Sequence, residues 1–243
     1  MSDITVLRVG VYNNFNFTEA ELAEVSKFQE QGYLPFVNSN SLVNIRADYP
    51  SIITINPYLT SWEPPTGDIS NVKACRVKWV AGAVDSVHKA QLDALSWCLS
   101  NSVPVLLTYM RFASKASMGR FVTASSQDLY KFSHSYYRLP INLCEEIHED
   151  IKNKAVAGNF DPGLIHSCDL HGLGCPSCGN CALLTYGDAT ATVAALTLSC
   201  SGDKGECLFH CPDCWARKLA KITNFKLDTV TINNKQKGKI NHE

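Results

Sequence analysis

Two adjacent strands that run parallel cannot be joined by a tight turn. The chain has to cross back over the sheet, and a helix of about a dozen residues is the usual way to do so. Residues 75–110 have that form. CRVKWVAGAV reads as a strand bounded by small residues, and Asp85 then caps a helical stretch through Asn101 that carries Leu92, Leu95 and Leu99. VPVLLTYM follows directly as a second β-rich apolar run, which makes this the clearest β-α-β unit in the chain.

The same alternation begins at the N-terminus. Residues 4–12, ITVLRVGVY, form a β-branched run. Thr18 followed by Glu21 is a capping box opening a helix that Gly32 closes, with Leu22, Val25 and Phe28 on one face. LPFVNS and SIITINPYL are further candidate strands. Strands separated by helices predict an α/β fold with a parallel sheet, either open or curled into a partial (β/α) barrel. Chemistry in such folds gathers beyond the carboxyl ends of the strands. That rule brings Asn13 and Asn14, Asn56 and Tyr58, and Arg111 with Lys115 to one rim, although each alone is an ordinary polar loop residue. Arg111 and Lys115 are the candidates for holding an anionic cofactor or substrate. They open a polar, aromatic and basic stretch between Met110 and Leu139 that also contains Arg120, Lys131 and Arg138. No GxxxxGK[ST] or GxGxxG occurs in the chain, so simple P-loop or Rossmann cofactor use is disfavoured.

Eight of the 11 cysteines fall into two blocks that nearly copy each other. Cys168, Cys175, Cys178 and Cys181 are spaced C-x6-C-x2-C-x2-C, and Cys200, Cys207, Cys211 and Cys214 are spaced C-x6-C-x3-C-x2-C. Four thiolates in one short loop can saturate a tetrahedral zinc ion or a cubane iron-sulfur cluster, and few other roles need that density. CPSCG and CPDC place two thiols across a tight Pro-containing turn, as zinc knuckles do, so Cys175 and Cys178 could share one zinc with Cys211 and Cys214 in a ribbon. Such zinc stabilises a segment that lacks a core of its own. Spacing alone leaves zinc and iron both open, and leaves open whether the blocks bind separately or interleave. Redox chemistry by a CxxC pair is the least economical reading, because it needs thiols that stay unmetallated. His166, His171 and His210 interleave with the cysteines, but with enough thiolates present they read as outer partners rather than ligands. No Ser-His-Asp or HExxH arrangement is legible.

The chain carries a formal net charge of -1, so no global field points to nucleic acid. Any such contact would be local, through Arg217, Lys218 and Lys221. MSDITVLRVGVYNN lacks the basic and apolar regions of a leader, and no later stretch is apolar for the length a bilayer demands, so no membrane partner is expected and the compartment read from the sequence is the cytoplasm. Paired CxxC motifs in a reducing compartment bind metal more often than they form disulfides. Cys75, Cys98 and Cys144 lie outside the blocks in apolar or helical surroundings, where a thiol behaves as a small buried hydrophobe. The organisation read from the chain is an α/β core over residues 1–160, a cysteine-rich metal-binding segment over 161–222 with one strand at about 193–198, and a basic tail over 223–243 containing Lys235, Lys237 and Lys239.

Cys207, Cys211 and Cys214, in GECLFHCPDCWARKLA directly after AALTLS, resemble the cluster loop of the radical S-adenosylmethionine enzymes. The resemblance implies a 4Fe-4S cluster on these three thiolates, with one iron open to S-adenosylmethionine, whose reductive cleavage yields a carbon radical. The family carries the motif on the first barrel strand, whereas here it lies near the C-terminal end, so the resemblance implies a chain that is permuted or only distantly related. Asp213 stands where the family usually has an aromatic, and Trp215 follows as an alternative cover. Cys200 offers a fourth thiolate, and a fully ligated cluster would be structural or electron-transferring. By the same resemblance, Cys168, Cys175, Cys178 and Cys181 would hold an auxiliary cluster. More broadly, CDLHGLGCPSCGNCALLTYG and CPDCWARKL, with SIITINPYL and RFASKAS, look similar to uncharacterised cysteine-rich phage-encoded proteins distantly allied to radical-SAM-like barrels. That likeness implies a barrel-like sheet with metal at its carboxyl rim, in the host cytoplasm. The expected function is therefore a radical-SAM-like iron-sulfur protein of open substrate, an enzyme only if S-adenosylmethionine is its cofactor. The alternative is an all-cysteine zinc module.

Overall fold

The computed structural model describes residues 5–9, 19–39, 48–56, 62–65, 67–133, 135–167, 192–199 and 224–230. In chain order the elements begin with β1 (Thr5–Val9), α1 (Glu19–Glu30), β2 (Leu34–Ser39), β3 (Ser51–Ile55) and β4 (Val72–Trp79). There follow α2 (Asp85–Ser100), β5 (Val105–Tyr109), the single turn α3 (Lys115–Met118), and a small hairpin of β6 (Lys131–Ser133) and β7 (Tyr136–Arg138). The last are α4 (Ile141–Ala157), β8 (Ile165–Ser167), β9 (Thr192–Ser199) and β10 (Asn224–Val230). Among the described residues no helix is long and apolar enough to cross a membrane.

The main sheet has the order β10-β9-β1-β2-β3-β4-β5-β8, and every neighbouring pair is parallel except β10 with β9. The chain is an α/β protein, as the strand and helix alternation predicts. From β1 to β8 the strands are laid down in sequence order in one direction. Right-handed crossovers that always step the same way put their helices on one face, and that is the arrangement here. Leu7, Val9 and Val37 pack with Val25 of α1, while Ile53, Cys75, Val77, Val105 and Leu107 pack with the apolar faces of α2 and α4. The register makes these one face of the sheet, since Val9 pairs with Val37, and Ile53, Cys75, Val105 and Ile165 lie level. Among the described residues, the helices that pack on this sheet, α1, α2 and α4, all lie on that one face. Among the described residues no ladder joins β8 back to β9 or β10.

The first helix ends as its sequence requires. Gly32 adopts φ +88, its N–H donates to the Gln29 carbonyl at 2.9 Å, and the Tyr33 N–H donates to the Phe28 carbonyl at 3.0 Å. These are the two bonds of a Schellman motif, and the apolar contact that accompanies it is the edge-on pair of Phe28 and Tyr33, whose ring centroids are 5.4 Å apart. Gly32→Ala should therefore cost about 1 kcal/mol, the strain of a Cβ in the left-handed region. A smaller shift in urea midpoint would show that the turn can rearrange. The capping box read at Thr18 and Glu21 lies outside the described residues as regards Thr18.

Helix α2 corrects two readings. Asp85 is its first residue rather than its cap; Val84 precedes it with no capping side chain, and Asp85 instead sets a negative charge in the first turn, where the helix dipole favours it. The buried face centres on Val87, Ala94 and Cys98, small side chains that let the helix lie close on β4 and β5. Leu95 and Leu99 flank that face, and Leu92, about a third of a turn round from Cys98, is 38% exposed. The strand expected near residues 193–198 is β9. Asn224–Val230, within the stretch read as a basic tail, forms β10 against it. In the sequence Phe225 and Leu227 alternate with Lys226 and Asp228, the period of two of a strand. Lys235, Lys237 and Lys239 lie outside the described residues.

Candidate functional site

Side chains alternate across a strand, so the residues between the helix-facing ones project from the opposite, inner face. On that face Val6, Phe36, Ile52, Ala74 and Leu106 are all 0% exposed. Toward the carboxyl ends the inner face changes character. Thr54, Arg76, Leu106 and His166 lie at one level of the register, and Lys78 and Thr108 pair at the next. Asn56, the residue after β3, continues the second level. An apolar floor thus gives way to a polar layer at the end of the sheet where α/β folds place ligands.

Arg76 is only 4% exposed. Its Nε and Nη2 donate to the Thr54 hydroxyl oxygen at 3.2 Å and 3.0 Å, across adjacent strands. Thr108 is 8% exposed, and its hydroxyl, fully enclosed, has no hydrogen-bond partner. Strands β1 to β5 and β8 contain four basic residues, Arg8, Lys73, Arg76 and Lys78, and no aspartate or glutamate. Two of those cations, Arg76 and Lys78, stand in the polar layer.

The turn leaving β4 on the same side is held unusually firmly. The Gln91 side chain, 3% exposed on α2, accepts from the Val80 N–H at 3.0 Å and donates to the Val80 carbonyl at 3.1 Å. The Tyr130 hydroxyl does the same for the next residue, accepting from the Ala81 N–H at 3.0 Å and donating to the Ala81 carbonyl at 3.3 Å. Burial pushes the Tyr130 phenol well above its ordinary range, so it keeps the proton that this donation uses. Gly82 follows with φ +61, and its carbonyl accepts from the Thr123 N–H at 2.9 Å.

The residues singled out from the sequence divide clearly. Arg111 lies two residues beyond β5 on the carboxyl side, exposed, and Lys115 begins α3, also exposed. Asn56 is half-buried at the end of β3. Asn13, Asn14, Tyr58 and all eight block cysteines, Cys168, Cys175, Cys178, Cys181, Cys200, Cys207, Cys211 and Cys214, lie outside the described residues, as do His171 and His210. Among the described residues no cluster of His, Cys, Asp or Glu could hold a metal ion.

The other three cysteines are buried, as their surroundings predict. Cys75 on β4 and Cys98 on α2 face each other, and hydrogen bonding with Cys98 together with burial drives the Cys75 thiol far above its usual range. A thiol that resists ionisation is neither a nucleophile nor a ligand. The polar layer of Thr54, Arg76, Lys78 and Thr108 was missed in the sequence. A partial signal is present there: Thr54, Arg76, Lys78 and Thr108 stand at even positions toward the carboxyl ends of SIITI, VKACRVKW and VLLTY, although Ser51 and Lys73 at the amino ends break the parity. Compared with known proteins, the chain matches no family model, no curated protein and no solved structure.

Proposed function

We propose that this chain is a cytoplasmic metalloprotein with two cysteine-ligated centres, of radical-SAM-like iron-sulfur type, working at the carboxyl end of a barrel-like parallel sheet. The strand order carries the proposal. β9, the strand that precedes the C-x3-C-x2-C run, pairs with β1, so the spatial order reads β9-β1-β2-β3-β4-β5. A permuted relative of a barrel that bears its cluster loop on the first strand requires that order. The chain also leaves β8 at Ser167 directly before Cys168, and β9 at Ser199 directly before Cys200. Because β8 and β9 run in the same direction in one sheet, the chain leaves both strands at the carboxyl end, the end with the polar layer.

The donor set fits the group. Cys207, Cys211 and Cys214 would hold one centre, with Cys200 open as a fourth thiolate, and Cys168, Cys175, Cys178 and Cys181 would hold the other. When bound, a cluster with one open iron supplies the electron that cleaves S-adenosylmethionine. Around it the chain offers Arg111 and Lys115, exposed on the carboxyl side, to hold anionic groups of a cofactor or substrate.

The protein purified without oxygen should be brown and contain about four or eight iron atoms with matching sulfide. Replacing Cys207, Cys211 and Cys214 with alanine should remove the iron of the second block and leave that of the first. Roughly two zinc ions per chain and no colour would overturn the reading in favour of all-cysteine zinc sites.

A further inference from the structure

The polar layer on the inner face has a use of its own, whichever metal the cysteines hold. We infer that Thr54, Arg76, Lys78 and Thr108 form an oxyanion subsite, shaped to take the carboxylate or phosphate of a small molecule that enters from the carboxyl end of the sheet.

Three observations converge on this. First, Arg76 and Lys78 set two positive charges at the carboxyl end of the inner face, on alternate residues of one strand. Second, the positive groups are positioned rather than loose. Arg76 is fixed by two hydrogen bonds to Thr54, and both Arg76 and Lys78 are engaged within the fold. A guanidinium held in one orientation suits planar, bidentate oxyanions. Third, the Thr108 hydroxyl is enclosed and unpartnered, level with Lys78 on the neighbouring strand. A buried hydroxyl without a partner costs stability. Such a group makes physical sense where a ligand supplies the missing acceptor. The apolar floor of Phe36, Ile52 and Ala74 beneath the layer excludes water and strengthens any charge interaction above it.

The two substitutions that test the subsite have opposite signatures. Thr108→Val replaces the orphan hydroxyl with a methyl of the same shape. It should raise the melting temperature of ligand-free protein, because no hydrogen bond is lost, and should weaken anion binding about threefold or more. A hydroxyl that serves only the fold would do the reverse. Lys78→Met should keep the fold and weaken binding about tenfold, the value of one charge-assisted hydrogen bond, with a shallower salt dependence. The experiment is calorimetric titration of the anaerobically purified, metal-containing protein with inorganic phosphate and, separately, with acetate at matched ionic strength. Metal content is measured on the same samples, so loss of a cysteine centre is seen separately from loss of the anion site. Saturable binding that both variants impair supports the subsite, and the tighter of the two anions assigns the ligand's class. Absence of saturable binding by either anion, or equal binding by wild type, Thr108→Val and Lys78→Met, overturns it.

Discussion

Gln91→Ala should lower the free energy of unfolding by about 3–5 kcal/mol, because it strips two buried backbone groups of their partners at about 1–3 kcal/mol each and leaves a cavity as well. Val80 lies just past the end of β4, where the ladder no longer reaches, and the Gln91 amide substitutes for a neighbouring strand by answering both the N–H and the carbonyl of one residue. Gln91→Met separates the contributions: it keeps most of the volume but neither hydrogen bond, so it should retain most of the loss. Urea unfolding followed by circular dichroism provides the measurement. A loss below about 1 kcal/mol for the alanine variant would mean that water enters and replaces the amide.

Gly82→Ala should be nearly as damaging, for a different reason. At φ +61 a Cβ costs about 1–2 kcal/mol, and a Cβ built on Gly82 would overlap the Ser126 side chain, adding about 1–3 kcal/mol of overpacking. The two contributions can be separated by a double-mutant cycle. In a Ser126→Gly background the steric part should vanish, leaving only the backbone strain and hence a positive coupling between the sites. If the alanine costs the same in both backgrounds, the overlap is relieved elsewhere in the turn and the steric argument fails.

Local signals in the sequence translated well into structure. LPFVNS is β2 residue for residue, Gly32 closes α1 through the two expected bonds, and Cys75, Cys98 and Cys144 are buried. Each depends on nearest neighbours or on one residue's conformational range. What could not be read depends on tertiary partners. Leu92 fits the helical period as well as Leu99 does, yet only the contact with β4 and β5 decides that small residues occupy the centre of the buried face. The inner layer required register: Thr54, Arg76 and His166 come level only once β3, β4, β5 and β8 are aligned, and no spacing within one segment reveals that. The sheet order was equally hidden, because periodicity says which residues are buried and not which strand lies beside which. The cysteine spacing, by contrast, points to a chemistry without a geometry, so elemental analysis rather than the fold tests whether the blocks hold a metal and which one.

The pairing of β1 with β9 also has a consequence for how the protein is made. Val6 finds its partner Val193 at a sequence separation of 193 − 6 = 187 residues. Until that distant segment has been synthesised, one edge of β1 presents its backbone groups to any strand that approaches, a template for association between nascent chains. At about 5–20 residues per second the interval lasts roughly 10–40 s. The strands from β1 to β8 can assemble by successive short crossovers during that time, but the sheet acquires its final edge only when β9 and β10 arrive. Yield in the cell should therefore depend on what shields β1 during synthesis more than on the stability of the finished fold.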